Sequence, residues 1–133
     1  MSQIYVVFKF NVYLRRNLKS KVMVIAKTEL FDEALQIRAS LFKALAHPAR
    51  LQILQFLAET KTCISGDISE ELPLSRTTVN QHLKELKDAG LIRGHVEGVK
   101  TNYCLDYEKV VEMKEILSGF LNGIELPENF SCK

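Results

Sequence analysis

The stretch Ser75-Arg76-Thr77-Thr78-Val79-Asn80-Gln81-His82-Leu83-Lys84-Glu85-Leu86 alternates apolar and polar residues with helical timing. At 100° per residue, Val79, Leu83 and Leu86 fall in one narrow sector, which must face a core. Thr77, Gln81 and Lys84 point the opposite way, and Arg76, Thr78 and Asn80 flank that outer face toward its N-terminal end. Ser75 is a strong N-cap, and Gly90 is suited to the C′ position that ends a helix near Ala89. The outward residue types can bind phosphate or read base edges: Arg suits guanine, Asn or Gln adenine, and Thr a thymine methyl. His82 lies about 60° from the apolar centre, a boundary position at which a histidine packs or bonds locally.

Upstream, Thr60 to Thr62 reads as a turn, and a short helix is predicted over Ser65 to Glu71, ended by Pro73. Helix, short turn, helix is the helix-turn-helix pattern. Before it, Pro48 to Glu59 reads as a helix burying Leu51, Ile53, Leu54 and Leu57. Another is predicted from Glu29 to Ala46, capped by Thr28, with Ala34, Leu35, Ile37, Leu41, Phe42 and Leu45 on one face. His47-Pro48 separates these two, since the residue before proline leaves the α region. Downstream, Leu91 to Val96 and Val99 to Leu105 alternate and are rich in β-formers around Glu97-Gly98, a β-hairpin. Tyr107 to Ile124 then carries Val110, Met113, Leu117, Phe120 and Ile124 at steps of three and four. That stripe is too long for a small core to cover, so a homodimer is predicted, with Leu35 and Leu41 on the facing helix.

The whole chain has 133 residues, 47% apolar and 26% charged, enough for one domain with a real core. No apolar run reaches the roughly 18 to 20 residues of a bilayer span. The first cation, Lys9, follows the Ile4 to Phe8 apolar run, which is not the order of a signal peptide, so a cytoplasmic location is expected. The formal charge of +2 hides an asymmetry: residues 1–28 hold six cations and no acid, leaving twelve cations against sixteen acids afterwards. The chain is therefore divided into a basic extension (1–28), a central domain (29–124) and a short tail (125–133). For the extension two readings stand, an arm that touches phosphate, or non-native or upstream sequence ahead of a second start at Met23. Cys63, Cys104 and Cys132 are odd in number and widely spaced, which points to reduced thiols rather than a disulfide framework. His47, His82 and His95 form no ligand spacing.

Three motifs in order carry a resemblance that covers roughly Glu29 to Leu121. They are Leu41-Phe42-Lys43-Ala44-Leu45-Ala46-His47-Pro48-Ala49-Arg50-Leu51-Gln52-Ile53-Leu54, the Ser75 to Leu86 helix, and Leu86-Lys87-Asp88-Ala89-Gly90-Leu91-Ile92. They resemble the ArsR/SmtB-type winged helix-turn-helix repressors. The resemblance implies a mainly α fold with a small β-hairpin, homodimeric through its first and last helices. It also implies a repressor that leaves an inverted-repeat operator in double-stranded DNA when an inducer binds. On it, Ser75, Arg76, Thr77, Thr78, Asn80, Gln81 and Lys84 contact DNA. The hairpin becomes a wing, its tip from His95 to Thr101, that brings Lys100 and Arg93 to the backbone or minor groove.

For the inducer, metal-responsive members of the family often carry Cys-x-Cys where this chain has Cys63-Ile64-Ser65. The zinc site that other members build from Asp and His pairs on their terminal helices finds no His in Tyr107 to Ile124. Three readings of the cysteines remain: Cys63 joins Cys104, or Cys132 of either subunit, to hold a thiophilic metal ion such as arsenite, Cys63 senses oxidants or persulfides, or all three are small buried hydrophobes. Two other function classes are weighed against the regulator. A winged helix used as a protein-interaction module would suit the acidic body, while a thiol enzyme lacks a histidine in the same motif as a cysteine.

Overall fold

The computed structural model describes residues 30–65 and 68–129. The Thr28 cap, the basic extension and Cys132 lie outside them. In order the elements are α1 (Glu33–Leu45), α2 (Pro48–Thr60), β1 (Ile64–Ser65), a 3-10 turn (Ile68–Glu71), α3 (Arg76–Asp88), β2 (Ile92–Glu97), β3 (Lys100–Leu105) and α4 (Tyr107–Asn122).

One apolar core joins all the helices to the base of the sheet. Ile37 and Leu41 of α1, Ile53 and Leu57 of α2, Val79, Leu83 and Leu86 of α3, and Met113, Ile116 and Leu117 of α4 meet around Leu91 and Ile92. The helix ends follow local chemistry. Pro48 opens α2 at its first position, where a missing N–H costs nothing, and the His47 Nδ1 accepts from the Ala49 N–H at 3.1 Å. Gly90, at φ 79°, closes α3 in the left-handed conformation that glycine adopts without strain. The Leu91 N–H donates to the Leu86 carbonyl at 3.0 Å and the Gly90 N–H to that of Lys87 at 2.9 Å, while Leu86 and Leu91 are both fully buried. This is the Schellman ending, and it aims the chain into the hairpin.

Several expectations are corrected. α1 begins at Glu33 rather than Glu29, because the Asp32 carbonyl accepts the first-turn N–H groups of Leu35 and Gln36. The Ser65 to Glu71 helix is only the 3-10 turn over Ile68–Glu71. Ile64 and Ser65 instead form β1, paired antiparallel to β3 as Ile64↔Tyr103 and Ser65↔Asn102, so the hairpin is part of a three-stranded sheet ordered β1-β3-β2. The hairpin loop is Gly98-Val99, one residue later than expected, with Glu97↔Lys100 as the closing pair. Gly98 has φ 61°, and a two-residue loop whose first central residue needs positive φ puts glycine there.

α4 ends at Asn122, so Ile124 lies beyond it and is exposed. Leu51 is also exposed, and Ala49 takes its place among the buried residues of α2. The predicted dimer stripe divides. Leu41 is 2% exposed and Met113 and Leu117 are each 8% exposed within this one chain, so α1 and α4 spend that face on each other. Val110 packs partly against the same core, and the half-buried Phe120 ring stands edge-on to Phe42 at 5.9 Å with the Arg38 guanidinium 5.5 Å from its centre. Leu35, Val111 and Leu121 remain exposed on the outside of the same two helices, as does Phe31 just before α1.

Candidate nucleic-acid interface

α3 stands on the core through Val79, Leu83 and Leu86 and turns its other side to solvent. Arg76, Thr77, Asn80, Gln81 and Lys84 are exposed along that side. Ser75 and Thr78 have a local use: the Thr78 N–H donates to the Ser75 Oγ at 3.3 Å, and the two hydroxyls share a hydrogen bond of 2.9 Å. The expected capping role of Ser75 is thus present, and it fixes the helix end on which Arg76 and Thr77 sit. Lys87, absent from the sequence-derived set, reaches the wing, its Nζ 3.5 Å from where a Cβ on Gly94 would stand. Its signal in the sequence was its place one turn past Lys84.

The wing projects beside α3. Lys100 is exposed at its tip, next to the fully exposed Val99, and the Asn102 amide donates to the Glu97 carboxylate at 2.9 Å across the two strands. Arg93 is held differently from the expectation. Its Nε pairs with the Asp106 carboxylate at 2.9 Å, at the root of the wing rather than its tip. Asp106 also caps α4 by accepting the Lys109 N–H at 3.2 Å. Burial alone would raise the Asp106 pKa, but the Arg93 and Lys109 bonds and charges outweigh it and hold it below the ordinary carboxylate value.

The histidines, which the sequence leaves scattered, are brought together by packing. The rings of His47, at the start of α2, and His82, in the middle of α3, lie 4.0 Å apart at a tilt of 34°. They join α2 to α3, the second helix of the helix-turn-helix. The His82 Nε2 is buried with no hydrogen-bond partner among the described residues. Burial first, then the neighbouring His47 and the Arg50 charge, push the His82 pKa below its ordinary 6.5 against a smaller opposite pull from Glu85. A histidine with a lowered folded-state pKa stabilises the fold fully above pH 6.5. Its contribution is lost as pH falls below that value, because the unfolded chain takes up the proton first. Melting temperature is therefore expected to fall between about pH 7 and pH 5. His82→Gln should flatten that part of the profile, and an unchanged slope in the variant would count against the account.

The cysteine expectation is also revised. Cys63 and Cys104, 41 residues apart in sequence, are joined as a disulfide with Cα atoms 4.4 Å apart. Continuing the β1–β3 register by one residue places them directly opposite each other. Bonded in this way, neither sulfur is a thiolate ligand. Among the described residues, no group of three or more His, Cys, Asp or Glu side chains is arranged to hold a metal ion, and no helix is long and apolar enough to cross a membrane.

A helix presenting polar side chains outward, set against a second helix and followed by a projecting hairpin, is the DNA-reading module of winged helix-turn-helix proteins. Comparison with known proteins agrees. A helix-turn-helix domain family matches residues 45–95. The HTH-type transcriptional regulator YceK of Bacillus subtilis is 40% identical over 90 residues, 67% of this chain and 87% of YceK. The HTH-type transcriptional repressor SmtB of Mycobacterium tuberculosis is 36% identical over 73 residues, 55% of this chain and 53% of that protein. In fold, the chain is similar to an ArsR-like transcriptional regulator from Rhodococcus sp. RHA1, with TM-score 0.57 and 24% identity over 69% of this chain and 86% of that one. The chain belongs to the ArsR/SmtB family of winged helix-turn-helix transcriptional regulators and is a DNA-binding regulator. The family is one of regulators, not of enzymes.

Proposed function

We propose that two copies of this chain bind an inverted repeat in duplex DNA and repress transcription by covering the site. The observation that carries this reading is the division of α3, with Val79, Leu83 and Leu86 buried while Arg76, Thr77, Asn80, Gln81 and Lys84 face solvent. Asn80 and Gln81 are the base readers, suited to the paired acceptor and donor of adenine. Arg76, Lys84 and Lys100 supply charge to the phosphates, and Ser75 and Thr78 hold the helix end in position. Arg93 supports the wing root through Asp106.

The second copy is assigned to the outer surface of α1 and α4. Leu35, Val111 and Leu121, with Phe31 just before α1, are between 37% and 62% exposed there, beside helix faces already used inside the chain. A two-fold pair of readers demands a two-fold site.

Selection from a random duplex pool, with the enriched sequences read out, tests this. An inverted repeat is expected. On the recovered duplex, Gln81→Ala should cost about 1–3 kcal/mol and relax the base preference at one position in each half-site. Lys84→Ala should weaken all sequences alike and make the salt dependence shallower, by about one unit of slope for each phosphate that Lys84 neutralises. Leu121→Glu should convert the dimer to a folded monomer by light scattering and circular dichroism, and lower affinity without altering a DNA contact. No enrichment at low salt would overturn the DNA reading in favour of an interaction module. In vitro transcription from a promoter carrying the repeat then reads the sign of regulation, with suppression expected.

A further inference from the structure

We propose that Cys63 and Cys104 form a site of reversible oxidation by hydroperoxides, and that its disulfide sets how firmly the wing is held. The link to DNA rests on the wing contact proposed above; the oxidation site itself does not.

Three features of the structure converge on the pair. The antiparallel register of β1 and β3 places the two residues opposite each other, so closing the bond needs no rearrangement of the strands. Cys63 lies exposed on the loop after α2, open to a reagent, whereas Cys104 is half-buried in β3. β1 itself is only two residues long, so its backbone pairing is a weak hold on the sheet that the covalent bond reinforces. What the bond holds is functionally placed. β3 is the central strand and the second strand of the wing. Across it, Cys104 sits opposite Arg93, whose side chain engages Asp106 at the start of α4. One covalent link thus fastens the loop after α2, just ahead of the helix-turn-helix, to the wing, beside the ion pair that joins the wing to the terminal helix.

The chemistry balances with a hydroperoxide as oxidant. The Cys63 thiolate attacks the outer peroxide oxygen, the O–O bond breaks, and the alcohol, or water from hydrogen peroxide itself, leaves after taking up a proton. The resulting sulfenic acid is attacked by the Cys104 thiolate, the S–O bond breaks, and hydroxide leaves as the S–S bond forms, taking up a solvent proton to become water. Two thiols lose two electrons, which the peroxide accepts. A dithiol reverses the bond by exchange. In the oxidised chain the wing is pinned in its position beside α3. In the reduced chain the two-residue β1 opens readily and the wing gives up part of its preorganisation, so oxidation tightens DNA binding and reduction releases it.

The full-length chain tests this with hydrogen peroxide and dithiothreitol as the two reagents. After peroxide and alkylation, peptide mass spectrometry is expected to find Cys63 linked to Cys104 and Cys132 alkylated. Reduction should speed hydrogen exchange at Ile64, Ser65 and Asn102 to Cys104 by about tenfold or more while leaving the α3 core amides unchanged. Binding to the selected duplex should weaken about tenfold on reduction. Cys63→Ser and Cys104→Val should show the reduced behaviour whatever the reagent, and Cys132→Ser should keep the full response. A linkage through Cys132, or exchange at β1 and β3 that is the same in both states, would overturn the site. Altered exchange with unaltered affinity would overturn its coupling to DNA. If no duplex is selected, the DNA reading fails, and the linkage and exchange results still judge the oxidation site.

Discussion

Leu86→Ala is expected to lower the unfolding free energy by about 3–5 kcal/mol, the largest effect of any single substitution considered. Leu86 is fully buried and belongs to the core cluster that joins the helices to the base of the sheet. Its role is also directional. Its carbonyl receives the Leu91 N–H in the turn that closes α3, and Leu91, fully buried as well, belongs to the same core. Truncation removes the transfer energy of three carbons and leaves a cavity that packed neighbours close only in part. It also loosens the seat of the α3 ending, where the chain is redirected into the wing. Since a small domain is stable by about 5–15 kcal/mol in all, the loss is a large fraction of the whole. Thermal melting should show a fall of about 10 °C or more. DNA affinity should follow the folded fraction, so it recovers at temperatures where the variant is folded. A loss below about 1 kcal/mol would mean that Leu86 is not at the centre of the core.

Reduction of the Cys63–Cys104 bond is expected to cost about 2–4 kcal/mol of stability, measured by urea unfolding with and without dithiothreitol. The link closes a loop across a sequence separation of 41 residues, and that loop contains the whole of α3 and the first strand of the hairpin. Cross-linking a loop of that length withholds conformations from the unfolded chain, by about 4 kcal/mol in the chain-entropy account. Cys63→Ser should reproduce the reduced midpoint without reductant, and Cys132→Ser should leave the oxidised midpoint in place. Identical midpoints with and without dithiothreitol would show that the bond does not constrain the chain. The effect is distinct from the His82 pH dependence, because one acts on loop closure and the other on proton uptake. The two are therefore expected to add, as separated sites do.

The local part of this protein was legible in its residues. Ser75 caps α3, Gly90 ends it, Pro48 opens α2, and Val79, Leu83 and Leu86 face inward, because caps, left-handed turns and a 3.6-residue period are properties of a few neighbouring residues. The outward set on α3 followed from the same period. So did the order of helix, turn, helix and hairpin, and with the three matching motifs it was enough to place the family.

Five features were decided only by tertiary structure. The α4 stripe at Val110, Met113 and Leu117 is apolar in either case, but periodicity cannot say whether α1 of the same chain or a second copy covers it, and here α1 does. The strand over Ile64–Ser65 is too short to carry an alternation of its own; it exists because β3 offers it hydrogen bonds. That pairing sets Cys63 beside Cys104, as core packing sets His47 on His82, and in neither pair does distance along the chain report distance in space. Arg93 belongs to the same group, for its charge reads as a phosphate contact until the fold brings Asp106 within 2.9 Å. Residue chemistry determined which segments would fold and what their faces offered. Long-range contacts, whose partners no local pattern names, decided which of those faces the chain keeps for itself and which it presents to solvent.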